Sequence, residues 1–260
     1  MVQGKKKIRS HLWMIILIIV IVFFIFDLVF DVLFPIAKFK PLSYWSRITC
    51  YYAYFTTESN YLVLIYFIVN LFGKVKNNHT KIKFEWGLAL VVYITITMFI
   101  YWSGLALNFF NPTNPNDEQI STNLAKLILV YRWFATTTLH VVVPIFMICF
   151  YLVNICGKET YSLKTHHHFW LWILELYPLL YVVFAMIRGE IRVLLHQPSN
   201  TWYPYEFFNY RHFTSGLDVA ILCGFIFLIL GMCMILQYFY LWINNFLFKK
   251  RHHKKNDVII

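Results

Sequence analysis

Long apolar runs separated by short polar segments are the dominant pattern along the chain. A helix needs about 20 apolar residues to cross a hydrocarbon core of about 30 Å. Six runs reach or approach this length: residues 12–34, 51–72, 86–107, 134–153, 169–187 and 216–246. The pattern therefore predicts an all-α polytopic membrane protein, a bundle of six transmembrane helices that forms a single integral membrane domain over residues 1–260.

Composition supports this class and excludes others. The chain is 60% hydrophobic, 20% aromatic and only 13% charged, which is more apolar surface than one soluble domain can bury. The first run is not a secretory signal, because it is too long, contains two aspartates and has no small-residue cleavage site before Pro35. We expect a retained first helix.

The distribution of basic residues predicts the orientation. With a cytoplasmic N-terminus, the segments on the inner side carry 15 of the 23 Lys and Arg residues, which is the bias that sets membrane topology. Both termini are therefore expected to be cytoplasmic, in the cell membrane. The net charge of +11 is then a topology signal and a contact with anionic lipid headgroups, and no nucleic-acid partner is expected.

Several polar residues interrupt the apolar runs near their predicted outer ends. Ionisable groups are costly in hydrocarbon, so Asp27, Asp31 and His140 suggest a buried site. Asp27 and Asp31 are one helical turn apart and repel each other. We expect either a cationic neighbour, such as Arg132 or Arg188, or one protonated carboxyl.

The second run contains five consecutive polar residues, from Thr56 to Asn60. Helical periodicity places Thr56, Ser59 and Asn60 on one face and Glu58 almost opposite. Such residues often have a structural role, since hydroxyls bond back to the preceding turn and Asn joins membrane helices. Their clustering favours a functional site.

The fourth run contains His140, four residues before Pro144. Proline has no amide hydrogen, so the helix should kink or open there and leave a backbone acceptor free beside the imidazole. At about 1.5 Å per residue, counted from the predicted inner helix ends, Thr56 and His140 lie at roughly 25 Å and 21 Å. They lie within one helical turn in depth, so they could meet.

The order and spacing of these residues resemble those of the bacterial six-helix membrane proteins called the Pr-six-Pr family. The matching positions cover nearly the whole chain: Phe55 to Asn60, Leu139, His140, Pro144, Tyr177, Pro178, Arg188, Gly189, and Trp202 to Tyr205. That family looks distantly similar to the androgen-induced and androgen-dependent membrane hydrolases, which cleave fatty acid esters of hydroxy fatty acids with a threonine and a histidine. Where the family commonly has glutamine, this chain has Glu58.

The resemblance implies a lipid ester hydrolase in which Thr56 is the nucleophile and His140 the base. A threonine hydroxyl needs such a base within hydrogen-bond reach to form an acyl-enzyme. Ser59 and Asn60 could stabilise the oxyanion. The expected partners are membrane lipids and a lipid or fatty-acyl substrate.

The remaining polar residues could support such a site in several ways. Arg132 or Arg188 could hold a substrate carboxylate, and Asp27 or Asp31 could either orient the imidazole or form a structural ion pair. The aromatic segment that contains Tyr203 and Tyr205 is either a lid over the site or an interfacial belt.

Two alternative functions remain open. One is a small proton-coupled transporter in which Asp27, Asp31, Glu175 and His140 form a relay, although the six runs show no repeated halves. The other is a non-catalytic lipid-binding protein. No metal or cofactor is expected, because the chain has no phosphate-binding glycine loop, zinc signature or haem-attachment motif. The adjacent His166, His167 and His168 would point in different directions on a helix.

Overall fold

The computed structural model describes residues 2–75, 84–110 and 123–256, which are helical with short connections and contain no strand. The α-helices are α1 Val2–Leu33, α2 Tyr44–Tyr51, α3 Phe55–Val75, α4 Phe84–Phe110, α5 Asn123–Thr137, α6 Val143–Asn154, α7 Leu163–Thr165, α8 Leu171–Leu194 and α9 Gly216–Asn256. The all-α class is thus confirmed. The chain forms two compact units, residues 1–82 and 83–260.

Five helical segments of the described chain are long and apolar enough to cross a membrane. They are Met14–Leu33, Phe84–Gly104, Asn123–Asn154, Leu163–Leu194 and Gly216–Arg251. Many of their large apolar side chains are exposed, among them Ile19 and Phe227. Exposed apolar surface of this extent is typical of helices that face lipid. The segment 51–72 is not one of the five.

The helices of the second unit extend beyond the predicted runs. The helical segment that contains His140 begins at Asn123, so Arg132 lies inside a helix and not in a connection. The α8 helix continues to Leu194, so Arg188 is also helical. Hydropathy marks the part of a helix that fits hydrocarbon, whereas backbone hydrogen bonds continue past it.

In the first unit, an arginine from α2 donates a hydrogen bond to a carbonyl in the last turn of α1. The helix α1 ends two residues before Pro35, as the restriction on residues that precede proline predicts. The last carbonyls of a helix have no partner within it. Arg47 donates from Nη1 to the Val32 carbonyl and from Nη2 to the Lys40 carbonyl, both at 2.8 Å. The guanidinium thereby fastens α2 to the end of α1.

In the second unit, α8 continues through a proline because another helix satisfies the carbonyl that the proline frees. Pro178 cannot donate to the Leu174 carbonyl. The hydroxyl of Tyr93 in α4 donates to that oxygen instead, at 2.7 Å. The Tyr93 ring also packs on Tyr177, with centroids 4.7 Å apart. These contacts fix α8 against α4.

The loop between α6 and α7 is bound to α9 through its backbone. Asn244 Oδ1 accepts from the Gly157 amide at 2.7 Å, and Asn245 bonds in both directions with the Tyr161 backbone at 3.0 Å. Arg251 donates to the Cys156 carbonyl at 2.9 Å. Burial raises the pKa of the Cys156 thiol to about 11, so the thiol stays protonated at neutral pH.

Gly157→Ala should destabilise this loop. Gly157 has φ +71°, and a Cβ there would lie 2.9 Å from Leu247 Cβ. The left-handed conformation alone costs about 1–2 kcal/mol for a residue with a side chain. We expect a lower thermal unfolding midpoint in detergent. Gly231→Ala is the matched control, because a Cβ there meets nothing within 4 Å and alanine favours a helix interior by about 0.5–1 kcal/mol. Equal midpoints for the two variants would contradict this account.

Candidate functional site

The polar run of the first unit lies in the first turns of α3. The helix begins at Phe55, four residues after the start predicted at Tyr51. Thr56, Ser59 and Asn60 share one helix face, as their spacing predicts. Ser59 and Asn60 are almost completely buried, and Thr56 is half-buried. The run is therefore at a helix N-terminus, where the backbone amides of the first turn have no partner within the helix.

The side-chain amide of Asn60 forms one hydrogen bond within its own helix. Its Nδ2 donates to the Thr56 carbonyl at 2.7 Å, the structural role that is common for polar residues in such helices. Its Oδ1 and the Ser59 hydroxyl are buried without a hydrogen-bond partner among the described residues. Buried polar atoms are nearly always satisfied, so these two atoms indicate capacity for a bound polar group.

Asp27 is paired with a tyrosine that the sequence did not indicate. The Tyr51 hydroxyl donates to Asp27 Oδ2 at 2.7 Å, and both residues are buried. Asp31, one turn further along α1, is half-buried. The expected arginine partner of these carboxylates and their expected role beside the imidazole stay predictions.

In the second unit, the helix opens at His140, as Pro144 predicts. Thr138–Val142 form a π-helical turn between α5 and α6. A wider turn relieves the contact between a proline ring and the preceding turn. The opening therefore places His140 on a locally irregular backbone inside a long helix.

A backbone carbonyl sets the tautomer of His140. The ring nitrogen Nδ1 lies 2.9 Å from the Thr136 carbonyl oxygen. Because a carbonyl only accepts, Nδ1 carries the hydrogen and Nε2 presents its lone pair. Tyr101 of α4 stacks on the imidazole with centroids 4.2 Å apart, a contact that the sequence did not predict. In its neutral form this histidine therefore offers Nε2 as the proton acceptor.

The arginines predicted to bind a carboxylate lie on helices. Arg132 is half-buried in α5. Arg188 is buried in α8 and donates to the Trp202 carbonyl at 3.0 Å. One turn on, Arg192 donates to Thr201 Oγ1 at 2.8 Å. Arg188 and Arg192 thus hold the segment that follows α8, and their binding of a substrate carboxylate stays a prediction.

Tyr203 packs this segment closely against α8. Its ring lies over Gly189, where a Cβ would collide with it. Its hydroxyl donates to Glu190 at 2.5 Å, and Arg211 forms an ion pair with the same carboxylate. Burial and the hydrogen bond to Glu190 raise the pKa of Tyr203. Tyr203 therefore packs inside the second unit, and the choice between a lid and an interfacial belt for this segment stays a prediction.

Tyr205 is half-buried and continues the same aromatic packing towards α9. Its ring stacks on Phe207 with centroids 5.4 Å apart, and Phe207 stacks on Phe225 of α9 at 4.8 Å. Residues 195–215, between α8 and α9, form a folded segment of the second unit, which we call the cap. A folded cap is compatible with the predicted lid.

The structure groups the predicted residues into two sets, one in each unit. The first set is Thr56, Ser59 and Asn60 on α3. The second set is His140 on its π-helical turn and Arg188 with Tyr203 at the cap. Because Thr56 and His140 belong to different units, their pairing stays a prediction.

Comparison of the chain with family models, curated proteins and solved structures finds no match. The resemblance to the Pr-six-Pr proteins therefore depends on the spacing of the residues quoted above.

Proposed function

We propose that the chain is a membrane hydrolase of lipid esters in which Thr56 is the nucleophile and His140 the general base. The observation that carries the proposal is the bond between His140 Nδ1 and the Thr136 carbonyl, because it leaves Nε2 as a proton acceptor. A histidine held in this tautomer is the base that a weak hydroxyl nucleophile requires.

The reaction follows from these two groups. His140 Nε2 takes the proton of the Thr56 hydroxyl while Oγ1 attacks the ester carbonyl carbon. The tetrahedral intermediate then expels the alcohol, which receives that proton from the imidazolium. Water, deprotonated by the same imidazole, attacks the acyl-threonine and releases the fatty acid and free Thr56.

The start of α3 supports stabilisation of the oxyanion. The amides of the first helical turn and the helix dipole favour negative charge at this end. Thr56 and Thr57 lie in that turn. Because Asn60 Nδ2 already donates to the Thr56 carbonyl, we assign the larger part of the oxyanion stabilisation to these backbone amides and a smaller part to Ser59.

The proposal includes six membrane-crossing helices with both termini cytoplasmic, in the cell membrane. The sixth crossing is α3, whose 21 residues span about 32 Å at 1.5 Å per residue. The cap between α8 and α9 would then face outward. A lipid ester would enter from the bilayer, and Arg132 or Arg188 would hold its polar end.

Thr56→Ala should abolish covalent labelling by a fluorophosphonate probe, because it removes the nucleophile. Thr57→Ala is the matched control and should keep wild-type labelling. The measurement is probe incorporation into purified protein in detergent, with thermal unfolding as a check that both variants fold. Labelling that persists in folded Thr56→Ala rejects this nucleophile.

His140→Asn should slow the same labelling by about 10²–10⁴-fold, the usual contribution of a general base. His196→Asn is the matched control, because His196 is exposed. Its φ of 52° lies in the left-handed region, which asparagine also adopts. An unchanged labelling rate in His140→Asn would exclude the imidazole as the base while leaving Thr56 open.

Single cysteines in a cysteine-free background should reveal the topology. With six crossings, a membrane-impermeant maleimide added to intact cells should label Ser43→Cys and Ser199→Cys, since both serines are exposed. Lys158→Cys and Asn78→Cys should react only after lysis; Asn78 lies outside the described residues. Labelling of Ser43→Cys and Asn78→Cys from the same side would show that α3 does not cross.

A further inference from the structure

A second group of buried polar residues, none of them proposed to act in hydrolysis, lies in the second unit. Glu175 on α8 and Gln237 on α9 are buried, as is His166 in the π-helical turn His166–Trp170 that joins α7 to α8. Gln237 Nε2 donates to Glu175 Oε1 at 2.8 Å. The His166 ring packs edge-on against Tyr238, the residue that follows Gln237 on α9. The three side chains therefore form one cluster.

The cluster has unused hydrogen-bonding capacity. Within the described chain, Glu175 Oε2, Gln237 Oε1 and both ring nitrogens of His166 are buried without a hydrogen-bond partner. Four such atoms in one cluster are unusual, because buried polar atoms bind protein, water or an ion. These atoms could therefore form hydrogen bonds with a small polar ligand.

The charges around Glu175 favour a proton as that ligand. The titratable groups that act on Glu175 are Cys233 of α9 and Tyr93 of α4, and those that act on His166 are His167 and Glu85; none of them is a fixed cation. An isolated buried carboxylate is much less stable than the neutral acid. A metal ion fits poorly, since no group of three His, Cys, Asp or Glu side chains among the described residues could hold one.

Tyr238 contacts both this cluster and an exposed histidine. His167 is exposed, and its Nδ1 lies 2.7 Å from the Tyr238 hydroxyl. The Tyr238 ring packs edge-on against His166, with centroids 5.7 Å apart. The π-helical turn buries His166 and leaves His167 exposed. Wide turns of this kind are frequent at functional sites.

We propose that Glu175, Gln237 and His166 form a buried proton-binding site that exchanges with solvent through Tyr238 and His167. A proton from hydronium binds Glu175 as a new O–H bond and leaves water behind. The site is independent of the proposed hydrolysis, because it uses neither Thr56 nor His140.

Infrared spectroscopy of the full chain in lipid nanodiscs tests the site. The wild-type protein should show the carbonyl stretch of a protonated carboxylic acid at neutral pH, and Glu175→Gln, which is nearly isosteric, should lose that band. Gln237→Leu should move it to higher frequency, because the amide no longer donates to the carbonyl oxygen. The Gln237→Leu shift also assigns the band if Glu175→Gln fails to fold. A spectrum that neither variant changes at neutral or acidic pH overturns the site.

The exchange route has its own test in the same samples. On transfer to deuterated buffer, the band shifts as the carboxyl exchanges its proton. Tyr238→Phe should slow this shift several-fold, since it removes the hydroxyl that is hydrogen-bonded to His167 beside the cluster. Tyr240→Phe is the matched control, because that hydroxyl is hydrogen-bonded to Thr95 at 2.9 Å. Equal exchange rates in the two variants overturn the route.

Discussion

Polar groups inside an apolar helical protein must find their partners within the protein, and this constraint accounts for the contacts that organise each unit. Hydrocarbon offers no hydrogen bonds, so an unsatisfied group there costs several kcal/mol. Tyr51 therefore pairs with Asp27 in the first unit, and Tyr93 with the Leu174 carbonyl in the second. Tyrosine suits this task because its ring packs as an apolar body while its hydroxyl reaches a neighbouring helix.

The sequence predicted the helical class and most of the apolar segments, but several helices begin or end at residues other than the limits of the predicted runs. The end of α1 before Pro35 and the opening near Pro144 follow from proline chemistry, which acts locally. The start of α3 depends on the turn after α2, and the start of α5 lies in a segment of mixed polarity. Hydropathy does not detect such ends, because it measures fit to hydrocarbon and not the continuity of backbone hydrogen bonds.

In the candidate site, the sequence predicts which residues share one helix face but not which residues meet across two helices. Thr56, Ser59 and Asn60 could be grouped from sequence because they belong to one helix and its periodicity is fixed. Tyr51 and Tyr101 could not, because a linear pattern does not tell which helices face each other. With 18 tyrosines in 260 residues, residue type alone does not single out the two that contact Asp27 and His140.

The two prolines inside long helices of the second unit have different effects on the backbone. At Pro178, a hydroxyl from another helix takes the place of the missing donor, and α8 keeps its α-helical form. At Pro144, the helix widens into a π-helical turn. In the proposed hydrolysis a general base must exchange a proton with both the nucleophile and the leaving group, so its ring has to adjust between them. The Thr136 carbonyl, one turn earlier in the same helix, holds the Nδ1 hydrogen, so Nε2 is the atom that would exchange this proton.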